Sequence, residues 1–440
     1  MEKTIVGIAT PLGVGGIGIV RISGGDALLI ARKMVDKDLT PRVATLCSVS
    51  VGEVRDEVIA IYFAAPNSYT GEDVIEIQAH GNPLLLKKIV EGAVNLGARV
   101  ATAGEFTKRA FLNGKVALDR AESVADIINA ESEAELKTAS RAFSGVIASA
   151  ISPIESLLFD LRASVEAMLD YPESIEIETE TAKIKSSIND IKKRVETLIA
   201  SAQTGAVIRD GIRVVIVGKP NVGKSTLFNV MLGVERSIIT DISGTTTDII
   251  SETFFIDGVK ICLVDTAGIR TTKNVIERFG VERSHDAIDG ADLVLAVFDS
   301  SVEIDEFDVE IIKLIRDKNK IVVLNKQDLT EKKCWNAIDF GSGEIIKVSA
   351  KLSGAETVKK KIAEKIAGLN INGDAVYITN KRHEDLLKSA LKNLNDLDFD
   401  KMDLLASGLL QVQNLIGEIT GSNITEKTLD AIFSKFCLGK

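Results

Sequence analysis

The chain has 440 residues, room for two or three domains, and its 45% hydrophobic and 26% charged content excludes a disordered or fibrous protein. A net charge of −10 argues against nucleic-acid binding through the overall field, but residues 1–116 carry +1 against −11 for the rest, so a polyanion meets least repulsion at the N-terminal segment. There is no apolar run of 18 residues, Pro11 and six glycines interrupt the start, and Cys47, Cys262, Cys334 and Cys437 form no C-x-x-C pair. The expectation is a cytoplasmic protein with neither a zinc site nor a disulfide framework.

In chain order, β-branched runs at Thr4–Ala9, Ile17–Ile22, Val58–Phe63 and Asp73–Gln78 alternate with helical stretches at Asp26–Val35 and Pro83–Leu96, an α+β pattern. Residues 121–168 lose strand character. After Tyr171-Pro172, Ile184, Ile188, Ile191, Val195 and Leu198 form the stripe of an amphipathic helix, which Gly205 is expected to end. Near-continuous apolar strands follow at Ile212–Val217, Lys260–Val264, Leu293–Phe298, Lys320–Leu324 and Ile345–Val348, as in a parallel sheet covered on both faces. Helical periodicity returns from Lys381 to Phe436, with Leu386, Leu387, Ala390, Leu391 and Leu394 on one face. The economical architecture is an N-terminal α+β domain (1–117) and a discontinuous helical domain (118–208 and 370–440) interrupted by an inserted α/β domain (209–369), a Ras-like doubly wound sheet.

Gly218 to Ser225 reads GKPNVGKS and fits G-x-x-x-x-G-K-[ST] directly after a strand. Such a loop turns successive N–H groups of Asn221, Val222, Gly223, Lys224, Ser225 and Thr226 toward phosphates; Lys224 adds charge, and the Ser225 hydroxyl can ligate Mg2+. Asp265-Thr266-Ala267-Gly268 follows the next strand, where the Asp reaches Mg2+ through water and the Gly N–H meets the terminal phosphate. Asn325-Lys326-Gln327-Asp328 matches N-K-x-D, Asp328 accepting two N–H bonds from guanine; Ser349-Ala350-Lys351 offers the Ala350 N–H to the guanine carbonyl. A lone P-loop match is weak, whereas four ordered signals at strand ends specify GTP. Thr240, Asp241, Ile242, Ser243, Gly244, Thr245 and Thr246 lie where a switch segment supplies a Thr to Mg2+, and spacing leaves Thr245, Thr246 and Thr247 open. Ile269 stands where many GTPases place a water-orienting glutamine, which leaves Arg270, Glu277 and Arg278 as polar candidates. Gly13 to Gly18 fits G-x-G-x-x-G, but a strand follows it instead of a helix, so no dinucleotide site is expected.

Taken with Ala9–Gly24 (ATPLGVGGIGIVRISG), Ala79-His80-Gly81, Gly104–Lys115 (GEFTKRAFLNGK) and the terminal Phe436-Cys437-Leu438-Gly439-Lys440, the whole chain resembles the tRNA modification GTPase family MnmE (TrmE). It departs from the family at Leu438, usually Ile, and at Thr247, where Arg is common. The resemblance implies a homodimer through the N-terminal domain and a heterotetramer with the FAD-dependent protein MnmG. Together they would add an aminomethyl or carboxymethylaminomethyl group to carbon 5 of the wobble uridine of certain tRNAs. A formyl- or methylene-tetrahydrofolate would supply one carbon, bound by Arg21, Glu76, Lys115 and Lys440, with Cys437 connected to the modification site. It further implies K+-stimulated hydrolysis, with K+ held by Asn221, Thr240, Ile242 and Thr245, Mg2+ by Ser225 and Thr246, and water oriented by Glu277; Arg270 is a weaker catalytic candidate. The runner-up is a regulatory GTPase of ribosome assembly, which would carry an RNA-binding appendage such as a KH domain. A membrane-associated switch lacks any span, lipidation signal or basic amphipathic helix here.

Overall fold

The computed structural model describes residues 3–171, 177–233, 250–265, 287–352, 354–367, 375–437 and 439. It forms two compact units, one of residues 1–129, 139–197 and 381–440, the other of residues 130–138 and 198–380.

The first unit opens with β1 (Ile5–Ile8), β2 (Gly15–Ser23), α1 (Ala27–Met34), β3 (Thr45–Val51), β4 (Val54–Phe63), β5 (Val74–Gly81), α2 (Pro83–Asn95) and β6 (Arg99–Val100). The strands form one sheet in the order β3-β4-β5-β2-β1-β6, antiparallel except for β1 with β6. Asn82 caps α2 by accepting from the Leu84 and Leu85 N–H groups, and Pro83 takes the first helical position, where no donor is missed. Period-two alternation sends Val20, Ile22, Ile75 and Ile77 into a core with Ile30 and Met34 of α1 and Leu86 and Ile89 of α2. The other face of the same strands carries Arg21, Glu76 and Gln78, all half-buried. The glycine-rich run that mimics a dinucleotide loop enters β2 itself, pairing Gly15 with Gly81 and Gly18 with Ala79.

Helices α3 (Glu105–Leu112), α4 (Leu118–Asn129), α5 (Glu133–Phe143) and α6 (Val146–Asp170) follow, of which α5 is divided, its residues up to 138 belonging to the second unit and the rest to the first. After the long α7 (Ile177–Asp210), the chain returns to this unit through α11 (Lys381–Asn395), α12 (Met402–Thr420) and α13 (Glu426–Phe433). Helix α12 packs on α6 and α11. The stripe Ile184, Ile188, Ile191, Val195 and Leu198 is buried along α7 as its period requires. Just after re-entry, Arg382 donates to Glu122 of α4 at 2.9 and 2.7 Å and to the Glu418 carbonyl at 2.8 Å, while His383 Nε2 lies 2.8 Å from Glu122. Among the described residues no single helix is long and apolar enough to cross a membrane.

One expectation fails at Gly205. The helix runs on to Asp210, and it is Gly211, at φ 78°, that follows its end. A Cβ at Gly205 would sit 2.1 Å from the Ile378 carbonyl oxygen, so the glycine serves close backbone packing instead of termination.

The second unit holds β7 (Ile212–Val217), α8 (Lys224–Gly233), β8 (Ile250–Ile256), β9 (Val259–Asp265), β10 (Leu293–Asp299), α9 (Glu306–Ile315), β11 (Lys320–Asn325), β12 (Glu344–Lys347) and α10 (Gly354–Ala367). Its sheet runs β12-β11-β10-β7-β9-β8, parallel but for the antiparallel edge strand β8. Every residue of β10 and β11 is buried, because separate apolar cores cover the two faces.

Candidate functional site

In the second unit, β7, β11 and β12 run parallel, so the segments after their carboxyl ends converge on one edge of the sheet, the usual ligand crevice of a doubly wound fold. Residues 218–225 leave β7 and enter α8. Gly218 (φ 154°), Asn221 (φ 64°) and Gly223 (φ 103°) turn this loop, positions that only glycine or a short polar residue takes readily. Two of them also admit no side chain: a Cβ would meet the Val297 carbonyl oxygen at 2.2 Å from Gly218 and Asn325 Nδ2 at 2.2 Å from Gly223. Lys224 is buried, its ammonium donating to the carbonyls of Gly218 and Lys219 at 2.7 Å each. Val222 packs into the core, and Asn221, Ser225 and Thr226 are exposed.

Asn325 ties this loop to the other two segments. Its Nδ2 donates to the Val222 carbonyl at 2.8 Å, and its Oδ1 accepts from the Ala350 N–H at 2.9 Å. The Ala350 N–H, expected to face a guanine carbonyl, is thus already engaged by the Asn325 side chain. Asp328 Oδ1 accepts from the Ser349 hydroxyl at 2.6 Å, and this bond lowers the carboxyl pKa. The anion is the form that accepts two N–H bonds from guanine. Lys326, in the left-handed region at φ 64°, donates to Asp299 Oδ2 at 2.6 Å. Burial works to raise the Asp299 pKa, but the bonds from Lys326 and Ser301 outweigh it and the net shift is downward. Neither Asp299 nor the Ser300 hydroxyl, which donates to the Asn325 carbonyl at 2.7 Å, was singled out in the sequence; their only signal is their place at the end of a buried strand. Lys351 is exposed. Asp265 ends β9 beside Ile216. Thr240, Asp241, Ile242, Ser243, Gly244, Thr245, Thr246, Thr266, Ala267, Gly268, Arg270 and Glu277 lie outside the described residues.

In the first unit, Arg21 and Glu76 face each other across β2 and β5, and Glu76 Oε1 accepts from Arg21 Nε and Nη2 at 2.9 and 2.7 Å. The guanidinium lies 5.3 Å from the Tyr69 ring centroid and 5.6 Å from that of Phe106. Lys115 donates to the Pro66 carbonyl at 2.9 Å, in the same β4–β5 loop that carries Tyr69. The GEFTKRAFLNGK block explains the arrangement, because its side chains hold the loop between β4 and β5. Thr107 bonds Tyr69 (2.8 Å), Arg109 bonds Glu72 (3.0 Å) and Asn113 bonds the Thr70 carbonyl (2.7 Å). Tyr69 and Phe106 carried no assigned role in the sequence, since nothing local tells a stacking aromatic from a core one.

The C-terminus comes to the same place. Gly439 has φ 95°, and a Cβ there would lie 1.9 Å from the Ile8 carbonyl oxygen. Gly7 pairs with Arg21 across β1 and β2, and a Cβ at Gly7 would be 3.5 Å from Gly439 Cα and 3.2 Å from Phe106. Cys437 is exposed and its carbonyl accepts from the Gly104 N–H at 3.5 Å; Lys440 lies outside the described residues.

A phosphate-type loop and a guanine-type base loop, joined by one asparagine at the carboxyl edge of a mainly parallel sheet, define the class as a P-loop GTPase. The family model described as "GTP-binding protein TrmE N-terminus" matches residues 4–115, and that described as "MnmE helical domain" matches residues 118–437. The chain is 43% identical to the tRNA modification GTPase MnmE of Aquifex aeolicus, over 100% of both chains. It is 42% identical to that of Francisella tularensis subsp. novicida, over 100% of this chain and 99% of the other. The solved structure of a point variant of Aquifex aeolicus Era bound to GDP.AlF4- covers 41% of this chain and 66% of its own, at 28% identity and a TM-score of 0.27. The chain belongs to the tRNA modification GTPase MnmE family, and its activity is GTP hydrolysis in tRNA modification. The ribosome-assembly alternative is not favoured.

Proposed function

We propose that the protein acts in the cytoplasm with the FAD-dependent MnmG, in a heterotetramer, to add an aminomethyl or carboxymethylaminomethyl group to carbon 5 of the wobble uridine of certain tRNAs, drawing one carbon from formyl- or methylene-tetrahydrofolate. The observation that carries this reading is the half-buried Arg21–Glu76 pair on the sheet face opposite the α1–α2 core. Glu76 spends only Oε1 on Arg21, and its Oε2 has no hydrogen-bond partner among the described residues. A carboxylate oxygen so placed suits the amino and ring N–H groups of a pterin, with the Arg21 guanidinium held against Tyr69 and the buried Phe106, and Arg21 and Lys115 as cations for carbonyl and carboxylate groups. Gly439 supports bringing Cys437 and Lys440 toward that face. Homodimerisation through the N-terminal domain is consistent with Leu12, Val14 and Ile17, which are 74, 92 and 66% exposed.

In the second unit, the loop 218–225 holds the phosphates, Lys224 neutralises them, Ser225 and Thr246 ligate Mg2+, and Asp328, Lys326 and the 349–351 segment hold guanine. Hydrolysis then needs a substitute for the glutamine that Ile269 replaces. K+ held by Asn221, Thr240, Ile242 and Thr245, with Glu277 orienting the water, supplies it; Asn221 is exposed on the loop's outer turn, where a cation can reach its side-chain oxygen. GTP turnover is therefore expected to rise at least tenfold (roughly 1.4 kcal/mol of barrier) in K+ over Na+ at equal ionic strength. Glu277→Ala is expected to lower turnover while leaving GTP affinity intact. Equal rates in the two salts would remove the K+ assignment.

A further inference from the structure

Lys219, the second residue of the phosphate loop, has no part in the nucleotide contacts assigned above. Its ammonium donates to Asp305 Oδ2 at 2.6 Å and to Asp308 Oδ2 at 2.7 Å. Those carboxylates are the N-cap and third residue of α9 and close a capping box, in which the Asp308 N–H donates to Asp305 Oδ1 at 3.1 Å and the Asp305 N–H to Asp308 Oδ2 at 3.2 Å. The Asp308 side chain is 1% exposed and that of Lys219 15%. The Asp308 carboxyl is thus withdrawn from water against Lys219 and the N-terminus of α9, its Oδ2 bonded from both sides, and either partner removed would leave the other buried without its counterpart. Burial works to lower the Lys219 pKa, and the bonds to the two aspartates outweigh it, so the amine stays charged.

The other end of the residue is fixed as well. The Lys219 carbonyl is one of the two that receive Lys224, and after Pro220 comes Asn221 in its left-handed turn. The outer turn of the loop is thus strung between α9 on its side-chain end and Lys224 on its main-chain end. We propose that Asp305 and Asp308 are positioning residues for nucleotide binding, acting through Lys219 to fix the turn that carries Asn221 and orients Lys224. The inference rests on reading residues 218–225 as the phosphate loop.

The test measures affinity for fluorescent GTP and GDP analogues, together with KM and kcat for GTP, in the full-length protein. The variants are Lys219→Met, Lys219→Arg, Asp308→Asn, the double variant Lys219→Met/Asp308→Asn, and Lys224→Ala. Removing one partner of a buried charge-assisted pair is expected to weaken GTP affinity roughly tenfold in Lys219→Met, with KM rising more than kcat falls. Lys219→Arg should recover to within about threefold of wild type, and the double variant should be no weaker than the poorer single one, as coupled residues require. Lys219 lies at the surface edge, so its two variants decide the matter even where Asp308→Asn does not fold. Wild-type affinity in Lys219→Met, or a fully additive double variant, would overturn the proposal. Lys224→Ala separates the two readings: if it retains wild-type affinity, the phosphate-loop reading falls; if it loses binding while Lys219→Met does not, only the positioning role falls.

Discussion

At the residue scale, Gly439 makes the sharpest demand. Its φ of 95° and the 1.9 Å approach of a would-be Cβ to the Ile8 carbonyl leave no room for any other residue. Gly439→Ala is expected to drive the Cys-Leu-Gly-Lys end off β1 and weaken binding of 5-formyl-tetrahydrofolate at least tenfold by calorimetry, with GTP affinity unchanged; unaltered folate binding would detach the C-terminus from that site. Asn325 shows the other kind of residue-level constraint. It was legible as part of N-K-x-D, but its bonds to Val222 and Ala350, at separations of 103 and 25 residues, are tertiary facts that a four-residue motif does not encode. Lys219 and Asp308 are less legible still, because 89 residues separate them and each taken alone is an ordinary charged residue.

At the element scale, α7 and α4 carry the predictions. In a helix interior Gly→Ala normally stabilises by about 0.5–1 kcal/mol, through reduced unfolded-state entropy and better propensity. At Gly205 the 2.1 Å clash with the Ile378 carbonyl reverses the sign, so Gly205→Ala should destabilise the second unit by about 1–3 kcal/mol in denaturant melts. A stabilised variant would contradict the packing described. Glycine's two roles, terminator and close-packing residue, look alike in a sequence without the tertiary partner, here the Ile378 carbonyl, that tells them apart. The edge strands β3 and β8 are also absent from that reading: Leu46 on β3 is 54% exposed, so an edge strand lacks the unbroken apolar signal that made β10 and β11 plain.

Glu122 joins α4 to the re-entering chain. Burial works to raise its pKa, but His383 and Arg382 together overcome that and bring it down from 4.5 to about 2. Because the folded value is the lower one, the unfolded chain binds the extra proton first. The stabilisation, about 3 kcal/mol, is present above about pH 4.5 and is lost as the pH falls toward 2. Urea unfolding at stepwise lower pH should show this loss in the wild type and a flatter profile in Glu122→Gln, which removes the titrating group; identical profiles would place the acid sensitivity elsewhere.

At the scale of the whole molecule, the two units differ in how much the sequence discloses. The second is marked by short motifs whose spacing the strand–loop–helix geometry itself imposes, so the phosphate and base loops can be located before any coordinates. In the first, the Arg21–Glu76 pair spans 55 residues and is completed by a loop, an aromatic pair and a C-terminus drawn from three further places in the chain. Only family resemblance could assemble it from sequence; the structure adds why the GEFTKRAFLNGK block is built as it is, with Thr107, Arg109 and Asn113 tying down the loop that bears Tyr69.

Modification of the wobble uridine, as proposed, depends on that face. Mass spectrometry of tRNA nucleosides from cells lacking the protein tests it most directly, with complementation by the wild type and by Glu76→Gln. The expected result is loss of the carbon-5 aminomethyl and carboxymethylaminomethyl uridines, restored by the wild type and not by Glu76→Gln at equal protein level. Unchanged modification in the deletion strain would contradict the account.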